Sequence, residues 1–376
     1  MRVLHATGTF LPVKGGCPYF IHHLTRHLEQ CGDTCRVVTT DQGGDVTADT
    51  VATDRSGSRK VAGFPVSPGY PLTLRRAIAD FEPDIVHTHY PLPFFPETAA
   101  LCAELADVPL VLTCHGAFEM NWTSLIGAFG SIYNRSLLHA SLRAADRIHV
   151  SNDAIPGEFG LFDRYKSKLT TVPMGVDTAW YDPDAVDGDP PYPIDSGTMV
   201  VLFVGTFRRY KGLDTLIAAF DQIEGIDSRL VLVGDGPLRE DVKEAVTERG
   251  LGGRVTITGH LNDETLRRAY AGADAFVLPS PTMSESFGLV ALEAMAMGLP
   301  TLVTSESGVG RVLAQETAGI VVEPNAPETL AREIESILTN KQRYQGQVKA
   351  GKTLVADRFA WKSIVECYRT LYREVA

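Results

Sequence analysis

Two glutamates flank the start of a predicted helix in the second half of the chain. Glu285 and Glu293 lie eight residues apart, after a predicted strand that ends at Pro279-Ser280. Gly288, between them, lets the backbone approach a ligand closely, and the free N–H groups of a first helical turn suit a diphosphate. Glu285 could accept hydrogen bonds from sugar hydroxyls, and Glu293 could reach a ribose hydroxyl. Taken alone, this pattern more often marks a helix-capping acid and a surface glutamate than a ligand site.

Three cations follow the first predicted strand of the second half. Arg208, Arg209 and Lys211 lie within four residues of one another. A guanidinium group offers a planar fork to phosphate oxygens, and an ammonium group acts as a point charge. The loop could therefore neutralise a diphosphate, and a solvated basic loop is the simpler alternative.

Glycine and histidine residues in the first half lie at the predicted ends of strands. Gly15 and Gly16 precede the first helix in a loop that is not GxGxxG, which argues against a dehydrogenase. His115 directly follows one predicted strand, and His87 and His89 lie near the end of another. Each histidine could be catalytic, although a structural histidine with its hydrogen bonds satisfied is the commoner case for such a position taken alone.

No metal site is predicted. His22, His23 and His27 lie on the first predicted helix without regular ligand spacing, and we assign them to solvated or interface surface. Asp-x-Asp pairs at 182–184 and 187–189 have the pattern of a metal–diphosphate site, but they lie in a proline-rich stretch with no strand before it. We therefore expect the chemistry to depend on the cations and glutamates.

Short apolar runs alternate with helical patterns along the chain. This alternation predicts that parallel βαβ units position these residues. Ligands of such sheets bind beyond the carboxyl ends of the strands. The predicted strands are Val3–Thr7, Cys35–Thr39, Ile85–His89, Leu110–Cys114, Arg147–Ser151 and Leu169–Val172 in the first half, and Met199–Gly205, Leu230–Val233, Val255–Thr258, Ala275–Leu278 and Thr301–Thr304 in the second.

The length of 376 residues predicts two domains. We expect a Rossmann-like domain over residues 1–180 and another over 199–360. Residues 181–198 are rich in Pro, Gly and Asp without periodicity, which predicts a linker. The stretch 361–376 has helical spacing and could pack back on the first domain.

Composition and charge exclude several classes of protein. The net charge of −11 argues against a nucleic acid partner, whose phosphates are bound mainly by Lys and Arg. No apolar run is long enough to span a membrane, and the N-terminus lacks the pattern of a signal peptide. The six cysteines contain no CxxC pair and fit free thiols. We expect a cytoplasmic protein.

Together these segments resemble family 4 of the retaining glycosyltransferases, which have the GT-B architecture. The order and spacing of the motifs carry the resemblance, and they extend over nearly the whole chain. The motifs are Gly15-Gly16, His115-Gly116, the V-P-M-G-V-D segment 172–177, the K-G-L-D segment 211–214, the V-G-D-G-P segment 233–237, and Pro279-Ser280 leading through Glu285 to the G-L-P segment 298–300.

The resemblance implies an α/β GT-B fold, with two Rossmann-like domains facing each other across a central cleft. The first domain would be the acceptor side and the second would bind the nucleotide sugar. The activity would be transfer of a hexosyl group from a nucleotide-diphosphate sugar to a glycan or glycolipid acceptor, with retention and without a metal or other cofactor. The implied catalytic residues are His115 and Glu285, and the implied donor-binding residues are Gly16, Arg208, Arg209, Lys211, Phe287, Gly288, Leu289, Val290 and Glu293.

Three positions depart from the family pattern. Thr206 stands where an arginine is common, which leaves open whether Arg208 or Arg209 contacts phosphate. Cys17 follows the glycine pair where an acidic residue is common, and Ser286 replaces a common glycine. A nucleotide-sugar epimerase on the same scaffold and a non-catalytic nucleotide-sugar-binding subunit remain alternatives. The donor base, the sugar, the acceptor, the oligomeric state and peripheral association with the inner membrane face are left open.

Overall fold

The computed structural model describes residues 1–13, 15–42, 51–61, 64–90, 92–115, 133, 136–153, 156, 162–285, 287–316 and 318–376. These residues form two compact units. The first comprises Met1–Met174 together with Trp361–Ala376, and the second comprises Gly175–Ala360. Gly116 and Ser286, which belong to the motifs above, lie outside the described residues.

Within the described residues of the first unit, parallel strands alternate with helices. The strands are β1 (Arg2–Ala6), β2 (Thr34–Asp41), β3 (Thr53–Gly57), β4 (Arg59–Val61), β5 (Phe64–Val66), β6 (Ile85–Tyr90), β7 (Leu110–Cys114), β8 (Arg147–Val150) and β9 (Leu169–Thr171). The helices are α1 (Gly16–Gln30), α2 (Tyr70–Phe81), α3 (Phe95–Ala106) and α4 (Leu137–Ala144). The parallel sheet has the order β3-β2-β1-β6-β7-β8-β9, and β4 and β5 form a separate antiparallel pair.

All strands predicted in the first half are present, and their bounds agree within two residues. Every residue of β6 and β7 is buried, as expected for a parallel sheet covered on both faces. The sequence did not predict β3, β4 or β5. Strand β3 reads T-D-R-S-G, and only Ser56 of it is buried, so it has no apolar alternation to reveal it.

The second unit is doubly wound. Its strands are β10 (Met199–Val204), β11 (Ser228–Val233), β12 (Val255–Gly259), β13 (Ala275–Leu278), β14 (Thr301–Thr304) and β15 (Ile320–Val322). Its helices are α5 (Leu213–Asp221), α6 (Arg239–Glu248), α7 (Asp263–Ala271), α8 (Leu289–Ala296), α9 (Gly308–Glu316), α10 (Pro327–Thr339) and α11 (Lys341–Leu354). The order β12-β11-β10-β13-β14-β15 reverses direction between β10 and β13, which is where such sheets bind ligands.

The proline-rich segment 181–198, predicted as a linker, lies inside the second unit. The Tyr192 hydroxyl donates a hydrogen bond of 2.8 Å to the carbonyl of Ala269 in α7. The ring of Tyr181 meets that of Tyr270 edge-on, with 5.8 Å between centroids. The composition predicts the lack of regular structure, but the buried tyrosines fix the segment on α7.

The last helix, α12 (Trp361–Arg373), belongs to the first unit and packs on α1. It buries Tyr368 and Leu371, in agreement with the helical spacing of the sequence. His23 and His27 stack on the Trp361 ring at centroid distances of 5.6 and 5.3 Å. The sequence assigns these histidines to solvated or interface surface, and the structure places His23 and His27 at the interface with α12.

Candidate functional site

Lys211 and Glu285 form a buried ion pair in the second unit, where the order of the sheet reverses. Lys211 ends a 3-10 turn (Arg209–Lys211) after β10, and Glu285 lies in the loop between β13 and α8. The Lys211 ammonium contacts Glu285 Oε2, and the two residues are only 7% and 9% exposed. Ser280 Oγ lies 3.4 Å from the same carboxylate oxygen. Two opposite charges thus meet at the carboxyl ends of β10 and β13.

Glycines let the loops around this pair touch through their backbones. Gly212 has a φ of +69°, and a Cβ there would lie 2.1 Å from the carbonyl oxygen of Pro279. Gly234, after β11, has a φ of +138°, and a Cβ there would lie 1.9 Å from the carbonyl oxygen of Gly205. No side chain fits at either position, so these glycines fix where the loop after β10 runs.

The structure separates the three cations that the sequence places in one basic loop. Lys211 is buried against Glu285, whereas Arg208 and Arg209 are exposed. In the part of the chain that the structure describes, neither guanidinium group has a hydrogen-bond or ion-pair partner. Both arginines are therefore available to an anionic ligand.

The N-terminus of α8 supplies further positive potential to the same loop. Gly288, with a φ of +85°, precedes the helix, and the backbone N–H groups of Gly288, Leu289 and Val290 have no acceptor among the described residues. Unpaired N–H groups at a helix N-terminus bind anions. The side chain of Phe287 is buried 5.9 Å from the ring of Phe359, which leaves its backbone as the part that could meet a ligand.

Glu293 is buried inside the second unit. The Tyr270 hydroxyl donates a 2.8 Å hydrogen bond to Glu293 Oε2. Burial raises the pKa of this carboxyl group to about 7, although hydrogen bonds from Tyr270 and Tyr181 act in the opposite direction. In this structure the carboxyl group therefore interacts with tyrosines, and near neutral pH it is divided between its two protonation states.

In the first unit, Gly16 and His115 lie at the carboxyl side of the sheet. Gly16 begins α1 and is exposed, and a Cβ there would meet nothing within 4 Å. His115 directly follows β7, and its Nε2 lies 3.2 Å from His89 Nδ1. Burial lowers the pKa of His115 to about 3, so the ring is neutral at physiological pH.

Two groups in the described part of the chain contain three potential metal ligands each. They are Cys17, His89 and His115, and His5, His87 and His89, with the ligand atoms of each group within 4.8 Å of one another. Thiolate and imidazole suit Zn²⁺ or copper. Both groups share His89, whose two ring nitrogens each lie 3.2 Å from another imidazole nitrogen. A metal would therefore displace hydrogen bonds between histidines.

Sequence reasoning missed several residues that surround these sites. His5 interrupts the apolar run of β1, and Tyr270 lies on the buried face of α7. A polar ring between the apolar residues Leu4 and Ala6 was a signal for His5. No sequence signal pairs Tyr270 with Glu293, because they are 23 residues apart on different helices.

No helix in the described residues is both long enough and apolar enough to cross a membrane.

The model of the family described as Glycosyltransferase Family 4 matches residues 14–180, and that of Glycosyl transferases group 1 matches residues 189–354. These two matches cover most of both units.

The chain is similar in sequence to two named glycosyltransferases. D-inositol 3-phosphate glycosyltransferase of Segniliparus rotundus is 31% identical over 303 residues, which are 77% of this chain and 66% of the relative. GDP-mannose:cellobiosyl-diphosphopolyprenol alpha-mannosyltransferase of Xanthomonas oryzae pv. oryzae is 26% identical over 388 residues, covering 100% and 97% of the two chains.

The crystal structure of HepE from Anabaena in complex with UDP-glucose has the same fold. Its TM-score is 0.77, with 16% identity over the full length of both chains. The predicted GT-B fold, with parallel α/β sheets in two units, is confirmed. On these matches, the chain belongs to the group 1 glycosyltransferases of family 4.

Proposed function

We propose that this glycosyltransferase moves a hexosyl group from a nucleotide-diphosphate sugar to a glycan or glycolipid acceptor, with retention at the anomeric carbon and without a metal. The buried Lys211–Glu285 pair is the observation that carries this proposal, because it lies at the reversal point of the sheet, in the loops that hold Arg208 and the N-terminus of α8. Cationic and hydrogen-bonding groups of this kind match a diphosphate that carries a sugar.

The pair has a chemical role in this proposal. Without a ligand, the ammonium and carboxylate groups neutralise each other. The donor diphosphate would bind the ammonium group of Lys211 in place of Glu285. The sugar hydroxyls would hydrogen-bond the carboxylate of Glu285 in place of Lys211. Cleavage of the donor builds negative charge on the diphosphate, which the lysine, an arginine and the N–H groups of α8 would stabilise more strongly in the transition state than in the ground state. These groups would supply the positive field that a metal supplies elsewhere.

Gly16 and His115 would interact with the donor from the first unit. Packing does not require a glycine at position 16, since a Cβ there meets nothing within 4 Å. Close approach of a ligand to the backbone would explain it. His115 would hydrogen-bond the transferred sugar as a neutral ring, because its pKa is lowered to about 3.

The names of the relatives support the substrate class. The structure of HepE contains UDP-glucose, whereas the Xanthomonas enzyme is named for GDP-mannose and a diphosphopolyprenol-linked acceptor. These donors differ in base and sugar, so we propose the class of nucleotide sugar and no single member of it. Action on a lipid-linked acceptor would place the protein in the cytoplasm, at the inner face of the membrane.

The test begins with thermal shifts in UDP-, GDP- and ADP-sugars, because a bound donor stabilises the folded state. The stabilising donor is then assayed with lipid-linked and oligosaccharide acceptors, after dialysis against EDTA, and the anomeric configuration of the product is read by NMR. Glu285→Gln and Arg208→Ala/Arg209→Ala should lower turnover by about a hundredfold or more.

Lys243→Ala, in an exposed pair with Glu240, is the matched control and should retain full activity. An inverted product, loss of activity in EDTA, or normal turnover by the Glu285 and arginine variants would contradict the proposal. Conversion of the nucleotide sugar to its epimer without an acceptor would identify an epimerase instead.

A further inference from the structure

We propose that Cys17, His89 and His115 form a zinc-binding site in the first unit, and that zinc bound there inhibits the transfer reaction. The site is an addition to the proposed chemistry, which needs no metal. Binding of zinc does not depend on the proposed function. Inhibition does rest on it, because zinc would act through the proposed role of His115.

Three elements bring the ligands together. Cys17 lies in the first turn of α1, His89 lies in β6, and His115 directly follows β7. The cysteine sulfur and one nitrogen of each imidazole all lie within 4.8 Å of one another. Because separate elements of the same unit hold the three side chains, folding of that unit is enough to bring them to one place.

The distance between the two imidazoles suits a tetrahedral zinc ion. His89 Nδ1 lies 3.2 Å from His115 Nε2. Zinc–nitrogen bonds of about 2.0 to 2.1 Å at the tetrahedral angle separate two ligand nitrogens by about 3.3 to 3.4 Å. Without a metal this contact is a hydrogen bond, and zinc would replace its proton, which passes through solvent to the other nitrogen of its ring. The rings therefore need almost no movement.

The Cys17 sulfur completes the set with a soft ligand. A zinc–sulfur bond of about 2.3 Å would place the sulfur about 3.6 Å from each nitrogen, so it has to approach by about 1.2 Å at most. The thiol proton is released to solvent as the thiolate bonds to zinc. Thiolate and imidazole select Zn²⁺ over Mg²⁺ or Ca²⁺, which prefer oxygen. The departure from the family pattern at Cys17 thus supplies the ligand that defines the site.

The surroundings orient His89 and leave a way in for the ion. His5 Nδ1 lies 3.2 Å from His89 Nε2, so the nitrogen of His89 that is not a zinc ligand has a hydrogen-bond partner. Ligating histidines are commonly oriented through their second nitrogen in this way. Cys17 and His115 are each partly exposed, so an ion can reach them from solvent. With three protein ligands, the fourth position of the zinc ion stays open to water.

The group of His5, His87 and His89 is a poorer metal site. All three residues are at most 2% exposed. His87 Nδ1 lies 2.7 Å from the Tyr372 hydroxyl, and His87 Nε2 lies 2.6 Å from Thr113 Oγ1. A metal at His87 would therefore break a buried hydrogen bond, and it would have to reach the core. His89 is accordingly assigned to the site with Cys17.

Zinc in this site should oppose the transfer reaction. Under the proposed function, His115 contacts the transferred sugar, which gains positive charge as the donor is cleaved. A zinc ion on His115 Nε2 would place a further positive charge near that sugar. Like charges repel, so the ion would destabilise the transition state more than the ground state.

The direct test uses Co²⁺ as a spectroscopic substitute for Zn²⁺ in the full-length, reduced protein. We expect stoichiometric binding, with the visible absorption of a tetrahedral ion and a near-ultraviolet charge-transfer band from thiolate to cobalt, both abolished by added Zn²⁺. Cys17→Ser should lose the charge-transfer band and bind cobalt at least about tenfold more weakly. Cys31→Ser, which changes an equally half-buried thiol at the other end of α1, is the matched control and should behave as the wild type.

A wild type without the charge-transfer band, or a band that survives in Cys17→Ser, would overturn the zinc site. His89→Gln is the second variant, so the result does not depend on one substitution. It keeps the thiol and a hydrogen-bonding side chain but removes one imidazole ligand, and it should weaken cobalt binding as well. Circular dichroism on heating shows whether each variant is folded.

Inhibition is tested separately, with the nucleotide sugar that stabilises the protein. We expect Zn²⁺, but not Mg²⁺, to lower turnover, and EDTA to restore it. The zinc concentration for half inhibition should rise by about tenfold or more in Cys17→Ser. Equal inhibition of wild type and Cys17→Ser, or activation by zinc, would overturn the inhibitory role. A protein that binds cobalt as expected but turns over no nucleotide sugar would contradict the proposed function and support the zinc site.

Discussion

At the scale of single residues, burial determines how the charged groups of this protein behave. Lys211 and Arg208 are three residues apart, yet one is paired inside the second unit and the other is exposed without a partner in the described chain. A charged side chain that is buried needs a partner of opposite sign, because leaving it alone costs several kcal/mol. The pair with Glu285 meets this need until a ligand of matching charge replaces it.

Glu293 should make the stability of the protein depend on pH. Its pKa is about 7 in the folded state and 4.5 as a free side chain, so its proton stabilises the fold at low pH, and this contribution is lost as the pH rises through 7. Between pH 5 and pH 8 the wild type should lose about 2 to 3 kcal/mol relative to Glu293→Gln, which does not titrate. Urea unfolding of both proteins at several pH values measures this difference.

Tyr270→Phe is the informative companion variant. The Tyr270 hydroxyl favours the charged carboxylate, so removing it should raise the pKa of Glu293 and shift the same loss of stability to higher pH. If the difference in the free energy of unfolding between wild type and Glu293→Gln stays constant from pH 5 to pH 8, the pKa of the Glu293 carboxyl group is not raised.

At the scale of elements, hydrogen bonds inside the first unit hold helix α12 on the sheet. Tyr372 and Tyr368 of α12 reach histidines of β6 and β8, His87 and His149. His149 Nε2 donates to the carbonyl of Val172 at 2.7 Å, so its Nδ1 can only accept. The helix is therefore fixed by directed polar contacts as well as by its apolar face.

Removal of one of these contacts should destabilise the first unit. Tyr372→Phe leaves His87 Nδ1 without the hydroxyl at 2.7 Å, and we expect a loss of about 1 to 3 kcal/mol in the free energy of unfolding. Tyr210→Phe is the matched control, because the Tyr210 hydroxyl has no hydrogen bond within the described residues. Denaturant unfolding measures both, and equal stabilities of the two variants would argue against the contact.

At the scale of the whole molecule, the two units should respond to acid in opposite ways. Histidines with lowered pKa values are buried in the first unit, and they include His5, His115 and His149 at about 3, 3 and 4. The carboxyl group of Glu293, whose pKa burial raises to about 7, lies in the second unit. The net charge of −11 does not reveal this difference between the two units, because it sums over groups whose surroundings differ.

Acid should therefore open the first unit before the second. A histidine whose pKa in the folded state lies below 6.5 binds a proton more readily in the unfolded state. Its contribution to the stability of the fold is therefore complete above pH 6.5 and is lost as the pH falls towards 3. Between pH 7 and pH 5 each buried histidine should cost about 1 to 2 kcal/mol. Hydrogen exchange, corrected for its intrinsic pH dependence, should show lost protection in β1, β6 and β7 at pH 5 while β10 and β13 stay protected.

His149→Gln should weaken this response, and His260→Gln, at an exposed position, should leave it unchanged. Loss of protection in β10 and β13 first, or in both units together, would contradict the assignment of acid sensitivity to the buried histidines.

The sequence by itself determined the two parallel α/β units and the loops that hold the candidate site. Apolar strands such as Leu110–Cys114 and Ala275–Leu278 were predicted with their observed bounds, because a strand buried on both faces needs a continuous apolar run. The motif order also identified the family. The roles of the site residues stay predictions that the proposed experiments test.

Only the tertiary structure decided which of these residues meet and in which state of charge. It buried Lys211 against Glu285 and left the arginines exposed, placed segment 181–198 on α7, and covered His23 with α12. It also aligned His5, His89 and His115 across three strands. Local pattern shows which face of an element is apolar, whereas pairing and desolvation depend on elements that are distant in sequence and meet only in the folded chain.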